Sequence, residues 1–368
     1  MNGRAIGAQF GAQFSDGGCP LRQDFYPSEY AEDLTWHMVV QPGGDLPAAR
    51  GQSSMVVMGE KLYVFGGVTS YMTGKSLNTT HEFSTRRESW QAVSVKGATI
   101  GERNSHTATL CADTCAAGRD GKPRMYVFGG WGLRPCRVGK GECLTHLNDL
   151  YALELNDMKW EEVDVNSEQP RPYGRKSHTA TFVGTRLFVF GGHAWVPDHD
   201  ADNEYGMTSK AVGDLWYIDL AGDGPFTWST AYTTGDAPCA REGHGAAYLH
   251  DRWLVIHGGY AMGRGARGFG YLQDTYVLDT HAEPMVWSQP PLTGKLPEGR
   301  SFHSLVLLDG EIFAWGGSAR SGFLDDLHIL RLFHNDTRAT SGEPAGVPLP
   351  TGYDNPVNPR DMVVEEEL

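Results

Sequence analysis

Five times along the chain a near-continuous apolar run stops at a glycine pair. The runs are LYVFGG ending at Gly67, MYVFGG at Gly130, LFVFGG at Gly192, LVIHGG at Gly259 and IFAWGG at Gly317. Apolar residues in sequence, without polar alternation, predict a short strand buried on both faces. The glycine pair ends each strand where no side chain fits and where a positive φ is needed. Ahead of each run stands an Arg with a small or polar tract: Arg50-GQSS, Arg103-NSHTA, Arg175-KSHTA, Arg241-EGHGA and Arg300-SFHSL. Behind it comes a strand with a polar or acidic start: NDLYAL, GDLWYI, QDTYVL and DDLHIL, degenerate in the first repeat as NTTHEF. A lone Trp then opens a last short strand, at Trp90, Trp160, Trp228 and Trp287.

Each unit therefore holds four short strands, the content of one propeller blade. Blades stack face to face, so none buries its own core, and the Trp supplies the large flat group that fills the wedge between neighbours. The Arg-to-Arg intervals are 53, 72, 66 and 59 residues. A period of about 50 residues with Gly-Gly and a spaced Trp resembles the Kelch repeat. The predicted fold is all-β: a Kelch-type β-propeller of five visible four-stranded blades, with six possible. The fifth repeat lacks a following Trp. Asp33-Leu-Thr-Trp36 precedes the first Arg strand and is expected to close the ring as the missing strand, leaving no open edge. The expected organisation is an N-terminal extension over 1–30, the propeller over 31–333, and a flexible or draped tail over 334–368. The tail is punctuated by prolines and ends in Glu365, Glu366 and Glu367.

Composition narrows the function classes. The chain has 368 residues, 47 of them Gly, which favours turns over long helices. A net charge of −14 argues against general nucleic-acid binding, which needs a basic surface. No stretch approaches the ~20 apolar residues of a membrane span, and the first residues lack a signal-peptide core. The expectation is a cytoplasmic, monomeric chain with a protein or peptide partner. The six Cys are too sparse for a disulfide scaffold, so reduced loop thiols are expected, with a zinc site as the alternative.

Strands committed to packing leave the chemistry to loops. Arg50, Arg103, Arg175, Arg241 and Arg300 occur once per repeat, and five guanidiniums around one mouth would focus positive potential on a carboxylate. The alternative is that they tie adjacent blades together. The resemblance implies that the Arg turns and the segments after Gly-Gly open on one face. The residues just after the pairs are Val68, Trp131, His193, Tyr260 and Ser318, and Ser301 follows Arg300. Kelch-type substrate receptors bind acidic peptides with comparable groups, and GRSFHS looks like theirs. The resemblance thus implies ligand binding by the five Arg, Ser301, Trp131, His193, Tyr260 and Ser318, with no cofactor and no catalytic residue. His106, His178, His244 and His303 recur at one point of the repeat, which argues for packing. The competing reading is a metal-dependent enzyme. His193, Asp198, His199, Asp200, Asp202 and Glu204 could hold Ca²⁺ or a divalent transition metal, although the calcium-loop pattern is only partial.

Overall fold

The structure is a computed structural model, which describes residues 43–70, 74–112, 120–135, 141–198, 206–261, 270–332 and 362–365. Those residues form strands and turns, with no helix among them.

Each of the five repeats folds into an antiparallel sheet of four strands. Sheet 1 holds Ser54–Met58, Lys61–Phe65, Thr80–Ser84 and Ser89–Ala92. Sheet 2 holds Thr107–Cys111, Arg124–Pro135, Glu142–Glu154 and Lys159–Glu162. Sheet 3 holds Thr179–Val183, Arg186–Phe190, Leu215–Asp219 and Trp228–Thr230. Sheet 4 holds Gly245–Leu249, Trp253–Ala261, Gly270–Asp279 and Met285–Ser288. Sheet 5 holds Ser304–Leu308, Glu311–Ala319, Gly322–Leu332 and Met362–Glu365. The apolar runs ending in Gly-Gly are the second strands throughout. In sheets 1 to 4 the residues ahead of the glycines are covered on both faces, which is why they do not alternate, whereas in sheet 5 only one face is covered and Trp315 is exposed.

The chain entering sheets 1 to 4 first runs along the outer edge of the sheet it is about to build. Gly43–Gly44 pairs parallel with Ser89 and Trp90, Lys96–Gly97 with Lys159 and Trp160, and Thr233–Gly235 with Met285 to Trp287. A parallel bridge from Val165 to Phe226 does the same for sheet 3. Part of each edge is thereby covered.

The buried apolar side chains gather between consecutive sheets and not within them. One cluster joins sheets 1 and 2, a second sheets 2 and 3, a third sheets 3 and 4, and a fourth sheets 4 and 5. In the first three, the Phe before Gly-Gly meets the Trp of the next sheet. Phe65 meets Trp160 at 5.1 Å between ring centroids, Phe128 meets Trp228 at 5.1 Å, and Phe190 meets Trp287 at 5.7 Å.

The repeated His interlock the same sheets. Ser54 Oγ lies 2.8 Å from His106 Nε2, Thr107 Oγ1 2.9 Å from His178 Nε2, and Thr179 Oγ1 2.9 Å from His244 Nε2. These contacts explain the glycines. A Cβ on Gly191 would lie 2.9 Å from both the Arg241 carbonyl and His244 Cε1 of the next sheet, and its φ is 64°.

The segment around Trp36 lies outside the described residues. The outer strand of sheet 5, expected from that segment, is instead Met362–Glu365, from the part of the chain expected to be a flexible or draped tail. Cys111 and Cys143 each take part in a disulfide, not with one another, which corrects the expectation of reduced thiols there. Disulfides persist in oxidising compartments. No helix among the described residues is long and apolar enough to cross a membrane.

Candidate functional site

Each Arg turn folds back onto the residue next after its own Gly-Gly. Asn104 pairs with Trp131, Lys176 with His193, and Ser301 with Ser318 as short antiparallel strands. Single bridges join Gly51 to Val68 and Glu242 to Tyr260. The Gly-Gly pairs carry positive φ, and the ladder slips beside them, between Leu147 and Leu150, His257 and Gly259, and Trp315 and Gly317. Such a bulge re-aims the strand. The segments after Gly130 and Gly192, which the sequence predicts as loops, are therefore paired arms. Trp131 to Pro135 runs against Glu142 to His146, and His193–Pro197 against Met207–Ala211.

Four of the five Arg are interior. Arg103, Arg175, Arg241 and Arg300 are no more than 1% exposed. Arg175 shows the shared arrangement. Its Nε donates to the Tyr173 carbonyl at 3.1 Å and its Nη1 to the Gly191 carbonyl at 3.0 Å. Nη1 and Nη2 then grip Asp214 at 2.8 and 2.9 Å. Arg103 holds Asp149, Arg241 holds Asp274 and Arg300 holds Asp326 in the same bidentate way. Those carboxylates are the acidic starts of the third strands. A guanidinium so committed reaches a ligand only by leaving a buried ion pair. Of the five Arg expected to face a ligand, only Arg50 is half-buried and without a carboxylate partner among the described residues.

The residues beside the Arg meet across the sheets. Asn104 Nδ2 donates to Ser76 Oγ of the preceding repeat at 2.8 Å. Lys176 Nζ sits 5.2 Å above the Trp131 ring. His193 Nδ1 is 3.3 Å from Glu242 Oε1, and its Nε2 is 2.8 Å from Ser209 Oγ. Between Trp131 and His193 lies His146, stacked on His193 at 5.8 Å and edge-on to Trp131 at 4.7 Å. Burial, then the charge of Lys176 and the neighbouring His193, push His146 down to about 3. It is a neutral aromatic spacer at pH 7. A continuous rim of Lys176, Trp131, His146, His193 and Glu242 thus crosses sheets 2, 3 and 4. Tyr260 continues it edge-on to Tyr271 at 5.3 Å. Ser301 is buried, and Ser318 is partly open.

Trp131, His193 and Tyr260 are legible in the sequence from their place after Gly-Gly. Lys176, Glu242 and His146 escape that reading. The first two stand directly after Arg175 and Arg241, and that offset is the signal that marks them.

Of the residues considered for a metal, His193 and Asp198 are described, and His199, Asp200, Asp202 and Glu204 lie outside the described residues. Among the described residues no three His, Cys, Asp or Glu stand together as a metal site. Both nitrogens of His193 already have protein partners.

Comparison with known proteins fits this geometry. Host cell factor 1 of Homo sapiens is 27% identical over 290 residues, covering 77% of this chain and 12% of that protein. Host cell factor of Drosophila melanogaster is 29% identical over 296 residues, covering 77% and 17%. Acyl-CoA-binding domain-containing protein 4 of Arabidopsis thaliana is 24% identical over 379 residues, covering 89% and 52%. The chain thus spans a small part of the first two and about half of the third. The solved structure of YjhT superposes with a TM-score of 0.55 at 15% identity, covering 78% of this chain and 82% of that one, a likeness of fold. The KLHDC2/KLHL20/DRC7 Kelch-repeats domain matches residues 8–172 and 113–282. Together with the sheets, the interlocking Trp and the repeated Arg turns, this match makes the chain a member of the Kelch-repeat β-propeller family.

Proposed function

We propose that this chain is a partner-binding propeller that captures a protein or peptide on the rim where the Arg turns pair with the residues after Gly-Gly. One observation carries the reading. Lys176, Trp131, His146, His193 and Glu242 form a chain of contacts across three sheets, on segments that lie beyond the strands packing the core. Trp and Tyr beside charged groups are the residue types that anchor protein interfaces. An acidic partner suits cations that this face sets in an acidic chain, Lys176 and Arg50 among them.

The five sheets are read as the five blades of one ring, joined where sheet 5 follows round to sheet 1. Met55 and Val57 on sheet 1 and Val306 and Leu308 on sheet 5 keep 55 to 59% of their surface exposed, and mutual contact would cover them.

The rim is tested by affinity capture followed by mass spectrometry, with Trp131→Ala and Lys176→Ala beside the parent chain. Loss of the same partner in both variants, with unchanged melting, supports the rim. Undiminished capture by both would remove it.

A further inference from the structure

The first repeat keeps the arginine cradle and lacks its carboxylate. In repeats two to five the guanidinium is fixed by three acceptors: the carbonyl two residues before it, the carbonyl of the first glycine of the pair, and an Asp. For Arg103 these are Gly101 O at 3.2 Å, Gly129 O at 3.1 Å, and Asp149 at 2.7 and 2.9 Å. Arg50 has the first two, with Nε donating to Ala48 O at 3.0 Å and Nη1 to Gly66 O at 3.0 Å. In the place of Asp stands Thr79, whose Oγ1 accepts from Nη1 at 3.1 Å. Nη2 has no acceptor among the described residues.

Tyr151 and Tyr276 sit under Arg103 and Arg241 at 5.5 and 5.3 Å. The corresponding residue is a buried His in repeats one and five, His81 and His328, and both have an Nδ1 without a partner among the described residues. His328 Nε2 is 2.9 Å from Asp326 Oδ2, an acid that repeat one lacks. Burial, followed by the charge of Arg50, lowers the pKa of His81. Asp45 acts on His81 through space and forms no ion pair with Arg50. Burial lowers the pKa of Arg50 from its usual value, and in such a partly desolvated place an anion would be worth more than in open water.

We infer that Arg50, with the Thr79 hydroxyl, is a preformed receptor for one external carboxylate, which takes the place that Asp149, Asp214, Asp274 and Asp326 fill in the other repeats. This rests on the reading of the Arg-turn face as a binding surface, and it gives that surface a ligand chemistry. The geometry is that of a fork waiting for a second fork. The backbone holds the guanidinium in place, so binding costs little ordering of the side chain. The carboxylate belongs either to an acidic side chain of a protein partner or to a free small molecule.

The test uses the whole chain and two probes: sodium acetate, and a peptide with blocked ends and one Glu among neutral residues. Melting and calorimetry are compared for the parent, Arg50→Gln and Thr79→Asp. Thr79→Asp restores the internal pair, so it is expected to melt higher than the parent while binding acetate at least tenfold more weakly. Its raised melting separates lost binding from lost folding. Peptide binding at least tenfold tighter than acetate assigns the site to a protein side chain, and equal affinity assigns it to a free carboxylate. Equal acetate responses in the parent and Thr79→Asp, or no response of the parent to either probe, would overturn the inference. Thr79→Asp leaves Trp131 and Lys176 untouched, so failure here is distinguishable from failure of the rim.

Discussion

One residue type at five equivalent positions stands in two settings, paired with an Asp in four repeats and with Thr79 in the first. Arg175, with no exposed surface, fixes the turn of its own sheet by bonding two carbonyls and Asp214. Burial works against the charge on Asp214, but the hydrogen bonds and charge of Arg175 outweigh it and hold the carboxyl below its usual range. Replacing Arg175 with Gln leaves a carboxylate with no counter-ion in a site built for a pair. The expected cost is about 3 kcal/mol, read as a lowered urea midpoint. Arg50→Gln removes a half-exposed cation with no acid to strand, and less than about 1 kcal/mol is expected in the same measurement. If both lost equal stability, the division of roles would be refuted.

The Gly-Gly element is shaped by its neighbour as much as by its own turn. Gly191 and Gly184 both have left-handed φ, 64° and 58°. A Cβ on Gly184 meets nothing within 4 Å, whereas on Gly191 it would strike the Arg241 carbonyl and the His244 ring. Gly184→Ala should cost about 1 kcal/mol, from the backbone conformation alone. Gly191→Ala should cost more, by about 2 kcal/mol of overpacking, because backbone of the next sheet must move. The Trp strand obeys the same rule from the other side. Trp228→Ala would empty the wedge against Phe128, with a loss of about 3 to 5 kcal/mol. Unfolding titrations of the three variants would rank them, and Gly184→Ala must be the mildest.

At the scale of the molecule, the inter-sheet histidines make stability depend on pH. Burial, with the nearby Arg as the next cause, pushes His106, His244 and His178 down, the first two to about 3. His303 is pushed to about 3 by burial and then by His257 and Arg300. An unfolded His binds its proton near pH 6.5. Between that pH and about 3 the unfolded chain therefore holds more protons than the folded one, and stability falls as the pH falls. Each such His contributes up to about 1.4 kcal/mol per pH unit. Melting temperature should be nearly level from pH 8 to 7 and drop steeply from pH 6 to 4. A flat profile down to pH 4 would show that these rings are not buried neutral.

The repeated tract alone determined the all-β class, the strands, the positive-φ glycines and the place of Trp160, Trp228 and Trp287, because each depends on a local pattern that recurs from repeat to repeat. The degenerate NTTHEF even marked the repeat in which Arg50 loses its acid. What the tertiary structure decided is which Arg turns inward and which neighbours complete the rim. Arg175 and Asp214 stand 39 residues apart, and His193 and Glu242 meet 49 residues apart across two sheets. The first pair closes within one sheet and the second between two. Both exist only once distant strands are brought together, and burial then sets Arg103, Arg175, Arg241 and Arg300 on their acids while Arg50 has none among the described residues.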